Sequence, residues 1–373
     1  MAAAVSGIST VLLIRASKSH AVGSLARDSM KPQKMHVTPV PRIGGLGVFL
    51  GVLAAAGLHF WTSGQAQGMF AVLLMGCALP AFLSGVVQDF TDTLTPRGRL
   101  VATAVSAILA FFVLDAAISR TDIPGLDWLV AFGAGSLFLT VLAVTGIAHA
   151  VNIIDGLNGL ASMCVAIMLA AVAYVAFEVG DPLIGTLALA GIGGVLGFFL
   201  WNFPAGLIFL GDGGAYFLGF FVSELSILLL VRNPTVSPIF PLLVCIYPVF
   251  ETLFSIYRRR VLRARPPQLP DGIHLHSLLY RRVMRWAVGD RSAKVLARRN
   301  SMTSPVLWLL CMCSVVPALL FWNNTLVLSL FLLLFALGYV VLYWRIVRFR
   351  SPRWIVFLTT RPRDLAEGDN RKT

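Results

Sequence analysis

Charge is what this chain has least of: Asp, Glu, Lys and Arg make up 13% of its 373 residues, and only 17 of them are acids. A chain so poor in charge cannot clothe a soluble domain of this length in solvated side chains, nor stay extended as a disordered one. Cysteine is also sparse. Cys77, Cys164, Cys245, Cys311 and Cys313 all lie in apolar runs, and the nearest two stand two residues apart, on different faces of a helix. That excludes a disulfide framework or a cysteine-based zinc motif. Low-complexity linkers and internal repeats are missing too, so a single membrane-embedded domain over 1–373 is expected.

What the chain has instead is 57% hydrophobic residues, gathered into runs. About 18 apolar residues, at roughly 1.5 Å each, suffice to cross a hydrocarbon core of about 30 Å. Ten runs approach or exceed that length: 45–61, 69–87, 100–118, 128–151, 159–177, 183–201, 214–231, 238–257, 305–322 and 326–344. An eleventh, 2–14, is shorter. It has no basic residue ahead of its apolar part, which argues against a secretory signal, and Arg15 and Lys18 follow it. It is expected to be the inner half of a first helix whose beginning is missing or misassigned. The fold class expected is therefore all-α: a polytopic integral membrane protein with about 10–11 transmembrane helices.

With eleven crossings the connecting segments alternate sides. The segments on one side hold 28 of the 30 Lys and Arg residues, leaving Arg120 and Arg232 on the other. The positive-inside rule then puts the amino terminus outside and the carboxyl terminus in the cytoplasm, with a large basic loop over 258–303 and a basic tail over 347–373. The net charge of +13 sits beside the membrane, where anionic lipid is its natural partner and nucleic acid is not.

Every polar motif with chemical potential falls on that same side. Residues 34–45, KMHVTPVPRIGG, form a basic, proline-stiffened approach to a helix amino terminus, where Lys34, His36 and Arg42 can grip phosphate. Residues 88–99 carry Gln88 and Asp89 at the mouth of an apolar run, a costly place for a carboxylate without a task, whereas Asp92 suits a solvated loop. In NIIDGLNGL (152–160), Asn152 and Asp155 share a helix face and two glycines admit a close ligand. Asp212 lies in a Gly-Asp-Gly-Gly bend and suits a hard divalent cation. His274 and His276, two apart in an expected extended segment, point the same way among arginines that suit a polyanion. For Arg258 to Arg260, attraction to lipid is explanation enough. Glu224 and Glu251, inside apolar runs, are functional candidates by position, and His149 fits a paired helix-end histidine.

The segments PVPRIGG (39–45), QDFTDTLTPRGRL (88–100), NIIDGLNGLA (152–161), NFPAGLIFLGDGGAYFLG (202–219) and HLH (274–276) resemble, in order and spacing, the polyprenyl-phosphate N-acetylhexosamine-1-phosphate transferases. The resemblance implies an enzyme of the bacterial inner membrane, with a cytoplasmic site. Such an enzyme moves a sugar 1-phosphate from a UDP-N-acetylhexosamine to a polyprenyl phosphate, releases UMP and starts a surface polysaccharide. It implies magnesium (Mg2+) as cofactor, held by Asn152 and Asp212, with Asp155 as a supporting acid. Asn158 and Gly159 would belong to the uridine pocket, Asp89 would position or deprotonate the lipid phosphate, and His274 and His276 would hold the diphosphate. A homodimer is compatible with this picture.

Three departures stand out. Gln88 replaces the first of two acids common in the family, Asn158 replaces a frequent Asp, and Ser277 stands where a third histidine is often found. The histidine run of the muramoyl-pentapeptide branch is missing, which favours the N-acetylglucosamine type. A secondary transporter would show a similar helix count but gather its polar groups at the bilayer midplane; a non-catalytic scaffold would release no UMP. The orientation predicts that Gly156→Cys, in a variant lacking the five native cysteines, reacts with an impermeant thiol reagent only when the cytoplasmic face is opened. Labelling in intact cells would invert the topology.

Overall fold

The computed structural model describes residues 1–20, 40–262, 273–283 and 293–348, and every regular element among them is helical. In chain order these are α1 (Ala2–His20), α2 (Gly44–Thr62), α3 (Gln65–Thr91), α4 (Pro96–Val113), α5 (Leu126–Val130), α6 (Gly133–Ile154), α7 (Leu160–Glu178), α8 (Pro182–Asn202), α9 (Gly211–Arg232), α10 (Ile239–Val244), α11 (Ile246–Tyr257), α12 (Leu275–Leu278), α13 (Ala293–Leu320) and α14 (Thr325–Val347). Two π turns, Arg258–Leu262 and Leu279–Val283, follow α11 and α12. Nine of the described helices are long and apolar enough to cross a membrane.

Three expected runs come out differently, each for a local reason. The run 2–14 is part of a 19-residue helix, α1, because Arg15, Ala16 and Ser17 end the hydrophobicity without ending the helix. The run 238–257 is split at Cys245 into α10 and α11. Pro248, at the start of α11, has no N–H to give the carbonyl four residues back, and its ring crowds that carbonyl. The run 128–151 is interrupted at Phe132 between α5 and α6, where Gly135 lets the Leu129 carbonyl come close. Elsewhere the breaks follow ordinary capping: Thr95 with Pro96 opens α4, Asp181 with Pro182 opens α8, and Asn324 opens α14.

Helix α9 is the axis of the bundle. Its apolar window is 94% buried, as a helix hydrophobic on all sides must be, and α2, α3, α4, α6, α7 and α8 pack around it. Small residues allow that crowding. A Cβ on Gly45 would stand 2.3 Å from the Gly214 backbone, and one on Gly85 would stand 2.3 Å from the Gly213 nitrogen. Phe49 stacks on Phe82 at 4.1 Å and meets Phe217 edge-on, filling the space above these contacts.

The loops segregate to two ends. At one, Asp181 pairs with Arg232 (2.6 Å), the Ser237 N–H reaches the Trp322 carbonyl (3.0 Å), and Thr325 reaches Asp122 (2.8 Å). At the other lie the end of α3, the turn from α6 to α7, the start of α9 and the histidine segment. All the described sequence motifs meet there.

This packing yields a direct expectation for α3. Gly85→Ala forces α3 away from the α9 backbone, which cannot yield as a side chain would. It should destabilise the detergent-solubilised protein by about 1–3 kcal/mol, an overpacking cost, and lower its activity. Gly76→Ala, on the same helix with nothing within 4 Å of the added carbon, is the control and should melt like the parent. Equal melting temperatures for both variants would contradict the close approach.

Candidate active site

The site is built on the amino end of α9. A helix start leaves backbone N–H groups without helical partners and carries partial positive charge. Here Asp89, two residues from the end of α3, satisfies them from another helix. Its Oδ1 accepts from the Asp212 N–H (2.9 Å) and its Oδ2 from the Gly213 N–H (3.0 Å). Gly211, at φ +78°, makes room, since a Cβ there would meet both the Arg42 carbonyl (2.1 Å) and Asp89 Oδ2 (2.6 Å). Arg42 is brought to the same spot by backbone pairing of 41–45 with 209–210: the Phe209 N–H donates to Pro41, and the Gly44 and Gly45 N–H groups donate to Phe209 and Leu210.

The Asp212 side chain, held by this cap, is shared by two further helices. Asn152 Nδ2, from α6, donates to its Oδ1 (2.9 Å), and Arg99, from the first turn of α4, pairs with its Oδ2 (2.5 Å). Arg99 is steadied by the Tyr216 hydroxyl. Tyr216 in turn packs against the His149 ring at 4.8 Å, and His149 Nε2 lies 3.3 Å from Thr103 Oγ1.

Asp155 ends α6 with a non-helical backbone, and the Gly211 N–H nearby favours its charged form. Burial, with the charges of Asp212 and Asp89 nearby, pushes its carboxyl up to about 8, against the opposing pull of Arg42. Three carboxyl groups and two arginines, Arg42 and Arg99, thus lie together at the ends of α3, α4, α6 and α9.

The histidines complete the ring of residues. The segment is not extended as expected: His274 caps α12 and His276 lies within its single turn, because the residues after it continue helically. The two rings nonetheless stack, 5.3 Å apart and within 5° of parallel. His276 is buried, and a Cβ on Gly156 would lie 3.0 Å from its Nε2, so the glycine admits the ring to the turn after Asp155.

Other expected residues stand differently. Asn158 is 0% exposed; its Oδ1 has no hydrogen-bond partner, while its other polar groups bind the scaffold. Its N–H donates to Asn300 Oδ1 (2.7 Å), its Nδ2 to the Pro204 carbonyl (3.2 Å), and its carbonyl accepts from Ser304 (2.6 Å). Gly159 is likewise engaged, its N–H with Asn202 Oδ1 (2.5 Å) and its carbonyl with Trp308 Nε1 (3.0 Å). Gln88 Nε2 donates to Asp92 (2.7 Å) at the solvent edge. Lys34 and His36 lie outside the described residues. Arg258 is a correction to the lipid reading: it is buried, donates to the Ile273 carbonyl (2.6 Å) and the Tyr343 hydroxyl, and lies over the Tyr343 ring.

Arg99 was missed, having been counted only as a basic residue on the positive side. A signal was present. Arg97 and Arg99 occupy the first turn of a helix, where positive charge opposes the helix dipole and needs a reason.

Between α2, α3 and α9 a crevice too narrow to admit a water molecule is lined by Ile43, Leu46, Val86, Phe90 and Leu210 together with Asp89. It joins an apolar wall to the charged cluster.

Comparison with known proteins gives the family. The family model described as glycosyl transferase family 4 matches residues 70–230. A Bacillus subtilis protein named as a probable undecaprenyl-phosphate N-acetylglucosaminyl 1-phosphate transferase is 32% identical over 331 residues, covering 87% of this chain and 85% of that protein. The decaprenyl-phosphate N-acetylglucosaminephosphotransferase of Mycobacterium leprae is 31% identical over 280 residues, 67% of this chain and 68% of the relative. The phospho-N-acetylmuramoyl-pentapeptide-transferase of Streptococcus thermophilus is 32% identical over 206 residues, 52% of this chain and 59% of its own. With a family model over residues 70–230 and a relative matched over most of both lengths, the chain belongs to glycosyl transferase family 4.

Proposed function

We propose that this protein transfers an N-acetylhexosamine 1-phosphate from a UDP-N-acetylhexosamine to a polyprenyl phosphate, at the cytoplasmic face of a bacterial inner membrane. The observation that carries the proposal is the meeting of Asp89, Asn152, Asp155, Asp212, Arg99 and the histidine pair at one end of a bundle of membrane-length helices. A phosphate oxygen of the lipid attacks the phosphorus that bears the sugar. The bond from that phosphorus to the UMP oxygen breaks, UMP leaves, and one phosphoanhydride replaces another. Such a reaction between anions asks the protein for positioning and charge neutralisation.

Magnesium fits the donors present. Asp212 offers a hard carboxylate oxygen, Asn152 reaches it through Nδ2 and would turn its amide to present its own oxygen to the ion, Asp155 and Asp89 lie nearby, and magnesium is commonly held by one or two carboxylates plus substrate phosphate. Asn152 and Asp212 would hold it, and when bound it neutralises the diphosphate. Among the described residues no group of three His, Cys, Asp or Glu is placed to hold a metal, so such a site would draw on Asn152 and on substrate oxygens.

The chain's own residues do the rest. Asp89 keeps Asp212 in place through the backbone of α9, and it stands beside the apolar side chains of Ile43, Val86 and Phe90, where a lipid phosphate would arrive. Arg42 and Arg99 add positive charge beside the reacting phosphates. His274 and His276 bind the diphosphate from the far side. Asn158 and Gly159 act from behind, fixing the turn that carries Asp155 and Gly156.

A midplane transporter site finds no support. Glu251, one of two acids that spoke for it, belongs to the histidine segment at the site end, and Glu224 is buried in α9 without a hydrogen-bond partner.

Membranes supplied with polyprenyl phosphate and a panel of UDP-N-acetylhexosamines should release UMP and form lipid-linked sugar phosphate in equal amounts, in a magnesium-dependent way. Asp212→Asn should cut turnover at least about 10²-fold while the protein stays inserted. UMP release without lipid product, or no UMP with any sugar, would sink the reading.

A further inference from the structure

Glu251 is an acid in an apolar stretch that the proposed reaction leaves without a task. It is 1% exposed, and both carboxylate oxygens are occupied. Oε1 lies 3.2 Å from His274 Nδ1 and accepts the Leu275 N–H at 2.8 Å; Oε2 accepts the Tyr339 hydroxyl at 2.7 Å. These contacts tie α11, which carries Glu251, to two other parts of the chain, the histidine segment and α14. The contrast with Glu224, equally buried and without a partner, shows that burial alone does not gather such donors in this fold.

A buried carboxylate beside one imidazole nitrogen favours the tautomer with its proton there, and it stabilises the ring when the other nitrogen is protonated as well. It also fixes the plane of the ring. Because the His276 ring lies parallel to that of His274, the same contact sets the orientation of both histidines relative to Gly156. A second tie joins the same elements: Arg258 donates to the Ile273 carbonyl (2.6 Å) and to the hydroxyl of Tyr343, one helical turn beyond Tyr339.

We infer that Glu251 is a positioning residue for the transfer reaction, setting the tautomer and orientation of His274 while Tyr339 holds the carboxylate in place. This rests on the proposed role of the histidine pair in binding the donor's diphosphate. It gives α14, which carries none of the recognised motifs, a part in the active site.

The test is a double-mutant cycle on turnover with purified full-length protein, saturating magnesium, a UDP-N-acetylhexosamine that supports transfer, and polyprenyl phosphate. Glu251→Gln keeps the shape and an acceptor for Leu275 but removes the charge. It should lower kcat about 10- to 100-fold, the usual cost of losing such a supporting partner, and leave KM for polyprenyl phosphate unchanged. His274→Ala combined with Glu251→Gln should be no slower than His274→Ala alone, to within about twofold, since a residue acting through another is silent once that other is gone. Tyr339→Phe, which keeps the ring packing, should repeat the pattern with a smaller loss and serves if Glu251→Gln does not fold.

Losses that multiply in the double variant would overturn the inference and leave the transferase reading intact, because Glu251 would then act through the fold. Wild-type turnover in Glu251→Gln would overturn it too. Wild-type turnover in His274→Ala would remove both the inference and the diphosphate role of the histidine pair.

Discussion

The carboxylate of Asp89 on the first N–H groups of α9 is the contact on which the site depends. It satisfies donors that would otherwise be stranded between packed helices, and it does so from α3, so two helices are fixed in register at the point where chemistry is proposed. Asp212 is the residue whose own N–H is held. Its side chain is thereby presented to Asn152 on one oxygen and Arg99 on the other. A shift of α3 or α9 would therefore disturb the arrangement contributed by four helices at once.

That contact is possible only because the neighbouring positions are glycine. Gly85 and Gly213 bring α3 and α9 to backbone distance, Gly45 and Gly214 do the same for α2, and Gly211 takes a left-handed conformation that leaves space for Asp89 and Arg42. The cluster of acids so formed is unfavourable by itself: burial first, and then the charges of Asp212 and Asp89, raise the pKa of Asp155. Arg99, paired with Asp212, and Arg42, which lowers the pKa of Asp155, offset part of that charge. The histidine arm approaches from the opposite side and is braced separately, by Glu251, Arg258 and the tyrosines of α14.

Much of this was legible in the sequence because a membrane makes polar residues conspicuous. Asp89, Asn152, Asp155 and Asp212 each interrupt the end of an apolar run, and the structure gathers them at one end of the bundle. What was hidden depends on distance along the chain. Glu251 stands 23 residues from His274 and 88 from Tyr339, and Asn158 stands 142 from Asn300, so no local pattern reveals these pairings. The burial of Asn158, expected at the nucleoside from its place in a motif, comes from α13, whose Asn300 and Ser304 bond its backbone. Arg99 was obscured by its company, being one of many basic residues on the side where topology alone would put them. The break at Cys245 was concealed by hydropathy, which does not register that Pro248 lacks a donor.

The central claim is that Asp89 serves the site by holding α9, leaving the metal to Asn152 and Asp212. An experimental map of the protein with manganese in place of magnesium and a UDP-N-acetylhexosamine bound would test it most directly. The account predicts an anomalous peak for manganese at Asn152 and Asp212, with both Asp89 oxygens still on the Asp212 and Gly213 N–H groups. Manganese ligated by Asp89, or by His274 and His276 while Asp212 remains with Arg99, would contradict it.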